Sequence, residues 1–243
     1  MDGSVIGGLV EEISWEGKRV RQYRGGGRGL ENVLSAQVLQ ALDFLPRATC
    51  LRPVLEQATG ASAARDHVAA EAERLRLAFL PGQISLPGGV GVQPDALLVG
   101  PSTYVLIEAK GPGRSSFNPE QLSREYTAVL QEAQGRTPLL LLILGEEPPV
   151  KVKRRFGRYA VVDALEWELR QLPDGVVGGT ARREQLIVGV PGVLAWTTWQ
   201  QIADVVAGVL DAYTVDDQSA QAAIRRLAQG VIDAIRWHTT TGG

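Results

Sequence analysis

Two acids and one lysine carry the strongest chemical signal in this chain: Asp95, Glu108 and Lys110, within residues 91–111. Those residues read as two strands rich in Val, Leu, Ile and Tyr, joined at Gly100-Pro101-Ser102, a turn signal. If the turn centres between Pro101 and Ser102, Asp95 lies opposite Glu108 and Gln93 opposite Lys110. Side chains alternate along a strand, so Glu108 and Lys110 point one way while Val105, Ile107 and Ala109 point the other. Directly opposed positions hold side-chain bases about 5 Å apart, and like charges placed there destabilise a sheet. A hard divalent cation, Mg²⁺ or Mn²⁺, taking carboxylate and carbonyl oxygens offsets that cost. The lysine is then left to address a water or a phosphate.

Alternatively, Asp95 and Glu108 are surface charges of an edge strand, with Lys110 neutralising one of them. Against this, the acids interrupt runs that are apolar on both faces, Ala96-Leu97-Leu98-Val99 and Tyr104-Val105-Leu106-Ile107. Strands of that kind are buried in layered α/β structures, where an unpaired carboxylate costs several kcal/mol. Pro94-Asp95, followed after twelve residues by Glu108-Ala109-Lys110, resembles the PD-(D/E)XK nuclease superfamily, which has the restriction-endonuclease-like fold. The resemblance implies an α/β protein with a central mixed sheet flanked by helices. It also implies a Mg²⁺ or Mn²⁺ ion held by Asp95, Glu108 and the main-chain carbonyl of Ala109, a nucleic-acid substrate, DNA foremost, and Lys110 acting on the attacking water.

The elements that would position these groups follow from periodicity. Residues 30–45 have Leu34, Val38, Leu42 and Leu45 as a helical stripe, stopped by Pro46. Carrying the stripe back three places reaches Glu31. A glutamate in a first turn suits the helix dipole; the resemblance implies instead that Glu31 completes the metal site, directly or through water. Asp43 lies off the stripe. A short helix within 51–60, an alanine-rich helix over 61–73 and a strand over 75–79 precede the hairpin. After it, Gly111-Pro112-Gly113-Arg114-Ser115-Ser116 forms a loop in which Arg114 can hold a phosphate.

Asn118 and Pro119 suit the N-cap and first position of a helix. Gln121 in its first turn faces either solvent or the site. One branch of the superfamily places a glutamine near this point with a tyrosine four residues later, whereas here Tyr126 is five away. Residues 139–144 are wholly apolar, and a hairpin, a helix and such a strand form a βαβ signal for a parallel pair. The order α, β, β, β, α, β matches the core layout of the resembling fold over residues 29–145.

Two basic stretches remain open to two readings each. Arg24 and Arg28 flank a glycine-rich loop that is either a linker or a clamp on a phosphate backbone. Lys151, Lys153, Arg154, Arg155 and Arg158 put five cations into eight residues beside Phe156 and Tyr159, either a solvated face or a phosphate contact. Further on, a strand is expected at 159–162, a helix at 164–172, a strand at 185–190, and helices from Thr197 or Thr198 and over 219–237. The chain thus divides into a segment 1–28, a nuclease-like core 29–163, and a C-terminal α/β extension 164–243 packed on the core and ending in two helices.

At 243 residues and 44% hydrophobic, the chain has enough apolar material for one large core. Its net charge of −2 confines any nucleic-acid contact to local clusters. One cysteine, Cys50, excludes an internal disulfide and a cysteine-based zinc site, and fits a reducing, cytoplasmic setting. His67 reads as an ordinary surface histidine. The apolar run 139–144 is far too short to cross a bilayer, and the N-terminus lacks a signal-peptide pattern. No phosphate-binding loop, dinucleotide fingerprint or serine-nucleophile motif is present. The expectation is a Mg²⁺-dependent nuclease. The alternative is a catalytically inactive nucleic-acid-binding or assembly subunit on the same fold, and either is compatible with a homodimer or a partner subunit.

Overall fold

A computed structural model describes residues 28–86, 89–112, 116–153, 155–172 and 179–241. The chain begins with helices α1 (Arg28–Phe44) and α2 (Leu51–Gln57), strand β1 (Thr59–Gly60), helix α3 (Ser62–Ala70) and strand β2 (Arg76–Phe79). A small ribbon of β3 (Ile84–Leu86) and β4 (Val90–Val92) leads into the hairpin β5 (Ala96–Val99) and β6 (Thr103–Ala109). Strand β7 (Ser116–Phe117), helix α4 (Pro119–Ala133) and strand β8 (Thr137–Leu144) follow. The chain continues through β9 (Val150–Val152), β10 (Arg158–Tyr159), α5 (Val161–Gln171), α6 (Thr180–Val193), β11 (Leu194–Thr198), α7 (Trp199–Ala212) and α8 (Gln218–Thr241).

Leu139 to Leu144 are all buried, and a strand apolar on both faces must be covered on both. β8 lies inside a six-stranded sheet of order β1-β11-β8-β6-β5-β2, parallel to β6 on one side and to β11 on the other. The remaining pairs, β6 with β5, β5 with β2, and β1 with β11, are antiparallel. The protein is therefore α/β, a mixed sheet with eight α-helices around it among the described residues.

Alternation divides the sheet into two cores. Val105, Ile107, Leu139, Leu141 and Ile143 face α1, α2, α3, α7 and α8, with Leu34, Val38 and Leu42 of α1 packed against them. Leu106, Leu140 and Leu142 face α4, α5 and α6, with Leu122, Tyr126 and Val129 of α4 on top. The leucine stripe read from the sequence thus does bury α1. The α4 helix begins at Pro119 after Asn118, although Asn118 makes no side-chain cap bond.

Two expectations fail. Residues 185–190 belong to helix α6, not to a strand, and the strand lies just after, at Leu194–Thr198. A short apolar run cannot distinguish the two by composition. Leu186, Val190 and Val193 are buried at spacings of four and three, while Val188 is exposed, which is a helical pattern. Residues 159–162 likewise form no continuous strand. β10 ends at Tyr159 and α5 starts at Val161, because Val161, Ala164 and Leu165 share one buried helical face.

The last third of the chain contributes directly to the sheet. β11 sits between β1 and β8, and α8 packs on α1. Thr198 caps α7 with a reciprocal pair: its hydroxyl accepts from the Gln201 amide and the Gln201 side chain accepts from the Thr198 amide. Trp199, the first residue of α7, donates its indole N–H to the Lys110 carbonyl just past β6.

Candidate active site

The turn between β5 and β6 is clamped by one buried carboxylate. Glu71 accepts from the Ser102 hydroxyl at 2.8 Å, from the Ser102 amide at 3.2 Å and from the Thr103 hydroxyl at 2.6 Å. A Cβ on Gly100 would stand 2.1 Å from Glu71 Oε2 and 2.4 Å from Thr103 Oγ1, so a side chain there would displace the clamp. With the turn held, Ala96 pairs with Ile107 and Leu97 with Leu106. This is the register read from the sequence, and its continuation brings Asp95 level with Glu108.

Asp95 Oδ2 accepts from the Ala109 amide at 2.7 Å. Glu108 is 4% exposed, and its Oε1 accepts from Lys110 Nζ and, at 2.7 Å, from Gln121 Nε2. Lys110 is fixed through its backbone: its amide donates to the Ile143 carbonyl and its carbonyl accepts from Trp199 Nε1, both at 2.8 Å. Strands β6 and β8 and helix α7 therefore converge on one residue.

Helix α4 adds the fourth side of the site. Gln121 in its first turn faces inward, bridging Glu108 and, at 2.7 Å, Glu125 Oε1. Glu125 is 1% exposed. Burial pushes its carboxyl well above the usual carboxylate range, and the neighbouring Glu108 charge pushes it the same way. Sequence reading missed Glu125. The available signal was its position one helical turn beyond Gln121, on the same face. Tyr126, weighed instead, belongs to the core beneath α4; its hydroxyl donates to the Leu186 carbonyl at 2.8 Å, and burial holds its pKa up at about 12.

These groups line a cavity of about 370 Å³ whose walls include Asp95, Glu108, Lys110, Gln121, Glu125 and Asn32. Such a volume falls within the range of small-ligand sites. Asn32 comes from the first turn of α1, whose buried stripe packs on the opposite face of the sheet, so the tip of that helix reaches round to the cavity. Glu31 precedes Asn32; its side chain lies outside the described residues.

The other expected residues divide. Arg24, Arg114 and Arg154 lie outside the described residues, as does the side chain of Arg28. Lys151 and Lys153 are exposed on and after β9. Arg155 is packed, its guanidinium 3.2 Å from the ring centre of Trp167 and 5.2 Å from that of Tyr159. His67 is solvent-facing but engaged, with Ser102 Oγ and Thr137 Oγ1 at 2.9 and 2.8 Å, at the opposite end of β6 and β8 from the cavity.

Among the described residues no group of three or more His, Cys, Asp and Glu side chains is arranged to hold a metal ion. Magnesium is usually bound through one or two carboxylates, retained waters and substrate phosphate rather than by an all-protein cage. Asp95 and Glu108, which line the cavity together with Ala109, are the two carboxylates such a site would use. The carboxylates of the cavity wall are Asp95, Glu108 and Glu125, the last pushed toward its neutral form, and the cations beside them are Lys110 and Arg124. No helix among the described residues is long and apolar enough to cross a membrane. Compared with protein-family models, curated proteins and solved structures, the chain matches none.

Proposed function

We propose that this protein is a metal-dependent nuclease with a restriction-endonuclease-like core, hydrolysing phosphodiester bonds in DNA. The single observation that carries this reading is the meeting of Asp95, Glu108 and Lys110, held by the hairpin register, in one polar cavity. Support comes also from the order α1, β2, β5, β6, α4, β8, in which β5 leads out of Asp95, β6 carries Glu108 and α4 carries Gln121.

Asp95, Glu108 and the Ala109 carbonyl would hold Mg²⁺ or Mn²⁺, which supplies an acidified water and positive charge against the phosphate. Gln121 Nε2 keeps Glu108 Oε1 in place, so the carboxylate needs little rearrangement on binding. Lys110 Nζ, which rests on Glu108, donates to the attacking water or to a non-bridging phosphate oxygen and offsets the charge that develops there. The resemblance adds Glu31, one residue before Asn32, as a further acid of the site.

A second reading, a nucleic-acid-binding or assembly subunit on the same scaffold, draws on the Lys110–Glu108 ion pair, which satisfies the lysine without metal or substrate. Cleavage of linear, circular and single-stranded DNA and of RNA in Mg²⁺ and Mn²⁺ tests the first. Asp95→Ala and Lys110→Ala should each lower cleavage by at least about 10²-fold. Activity that survives in both variants would sink the nuclease assignment. Calorimetry with Mn²⁺ separates the two readings: binding by the wild type that is lost in Glu108→Gln favours the enzyme, whereas DNA binding with no metal binding favours the scaffold.

A further inference from the structure

The β9–β10 hairpin displays one aromatic ring to water. Phe156 is fully exposed at the tip. The base of the tip is fastened. Arg155 sits over the ring of Trp167 of α5, and the Tyr159 hydroxyl donates to the Phe156 carbonyl at 2.7 Å. Arg158 Nε donates to the Pro149 carbonyl at 2.5 Å, and Arg158 pairs with Glu146. Gly157, at φ +91°, takes the left-handed conformation that the turn needs.

The hairpin segment itself is cationic. Between Glu147 and Asp163 the sequence has five lysines and arginines and no acid, and Lys151 and Lys153 are exposed beside the tip. Among the described residues of the hairpin, Phe156 is the one large apolar side chain left exposed, since Val150 and Val152 are buried. A protein or lipid partner would call for a broader apolar patch. A single ring flanked by cations suits a nucleic-acid strand, which offers a base to stack on and phosphates to neutralise.

The hairpin is also tied to the cavity. Ile143 near the end of β8 pairs with Ala109, and the six steps from Leu144 bring the chain to Val150, where β9 begins, within about 22 Å. β9 pairs with β7, which leads into α4 and its Gln121 and Glu125.

We infer that the β9–β10 tip is a base-stacking finger: Phe156 stacks on an unpaired base of a strand whose phosphates run over Lys151 and Lys153 towards the cavity. The partner is nucleic acid with unpaired bases, because a continuous duplex hides its base faces. This inference rests on the reading of the cavity as a phosphodiester site, and its test is separable from that reading.

Anisotropy in EDTA, where no metal-dependent cleavage proceeds, gives the affinity for a fluorescein-labelled thymidine oligonucleotide about 20 nucleotides long and for a blunt duplex of the same length. Phe156→Ala should weaken oligonucleotide binding about tenfold, equivalent to about 1.4 kcal/mol, and duplex binding less than about twofold. Phe156→Trp should restore it, and circular dichroism checks that both variants are folded. Replacing Lys151 and Lys153 together by Ala should lower the salt slope by about 1.4. The finger is overturned if Phe156→Ala binds like the wild type or weakens both probes equally. It is also overturned if the ring matters only for binding phosphatidylserine vesicles. Loss of oligonucleotide binding in Phe156→Ala, alongside a wild type that never cleaves, would leave the finger standing and remove the nuclease. Cleavage with no effect of Phe156→Ala would do the reverse.

Discussion

Glu71 and Glu125 are both almost fully enclosed, yet their surroundings push their proton affinities in opposite directions. At Glu125 burial dominates and Glu108 adds to it, so the neutral acid is favoured. At Glu71 burial also raises the pKa, but the donors Thr103 and Ser102, with the Arg74 charge, outweigh it and hold the carboxyl below its ordinary value. A depressed folded pKa means that this carboxylate contributes stability above its unfolded value, lost as pH falls through the folded one. Glu71→Gln should therefore cost about 1–3 kcal/mol near neutral pH, having lost the charge that its donors address. The gap from wild type should close as the pH falls below about 4.5, the ordinary carboxylate value. Urea unfolding of both proteins across that range checks this, and curves that stay parallel would contradict it.

Strands β6 and β8 end side by side, and the loops leaving them touch. A Cβ on Gly145, just after β8, would stand 2.5 Å from the Gly111 carbonyl oxygen, just after β6. The neighbour is backbone, so it cannot swing aside as a side chain could. Gly145→Ala should destabilise the protein by about 1–3 kcal/mol and displace Gly111, the residue that follows Lys110. Gly230, on the exposed face of α8 with open space where a Cβ would go, is the control. Gly230→Ala should stabilise by about 0.5–1 kcal/mol through helix propensity. Unfolding midpoints of the two variants should move in opposite directions. At this same scale much was legible in advance: α1 and α4 carry helical stripes, β6 and β8 are unbroken apolar runs, and the structure has them within a few residues of the expected positions. The strand expected at 185–190 failed because a short apolar run satisfies a buried helix as well as a buried strand.

Across the whole molecule, the sheet is completed from the end of the chain. β11 fills the place beside β8, and without it the apolar β8 would have a bare edge at the centre of the protein. A chain ending before Leu194 should fail to give a soluble, cooperatively unfolding protein; a truncated form that melts like the intact one would refute this. The sequence by itself determined the β5–β6 register, because a short turn at Gly100-Pro101-Ser102 leaves few choices, and with it the meeting of Asp95, Glu108 and Lys110. Only the tertiary structure decided that Gln121 and Glu125 join them, since that depends on how α4 is rotated on the sheet. Only it decided, too, that β11 enters between β1 and β8 and that Trp199 reaches the Lys110 carbonyl. Local periodicity says which side of an element is buried. Which neighbour it is buried against depends on packing between segments far apart in the chain, and no spacing within one segment encodes that.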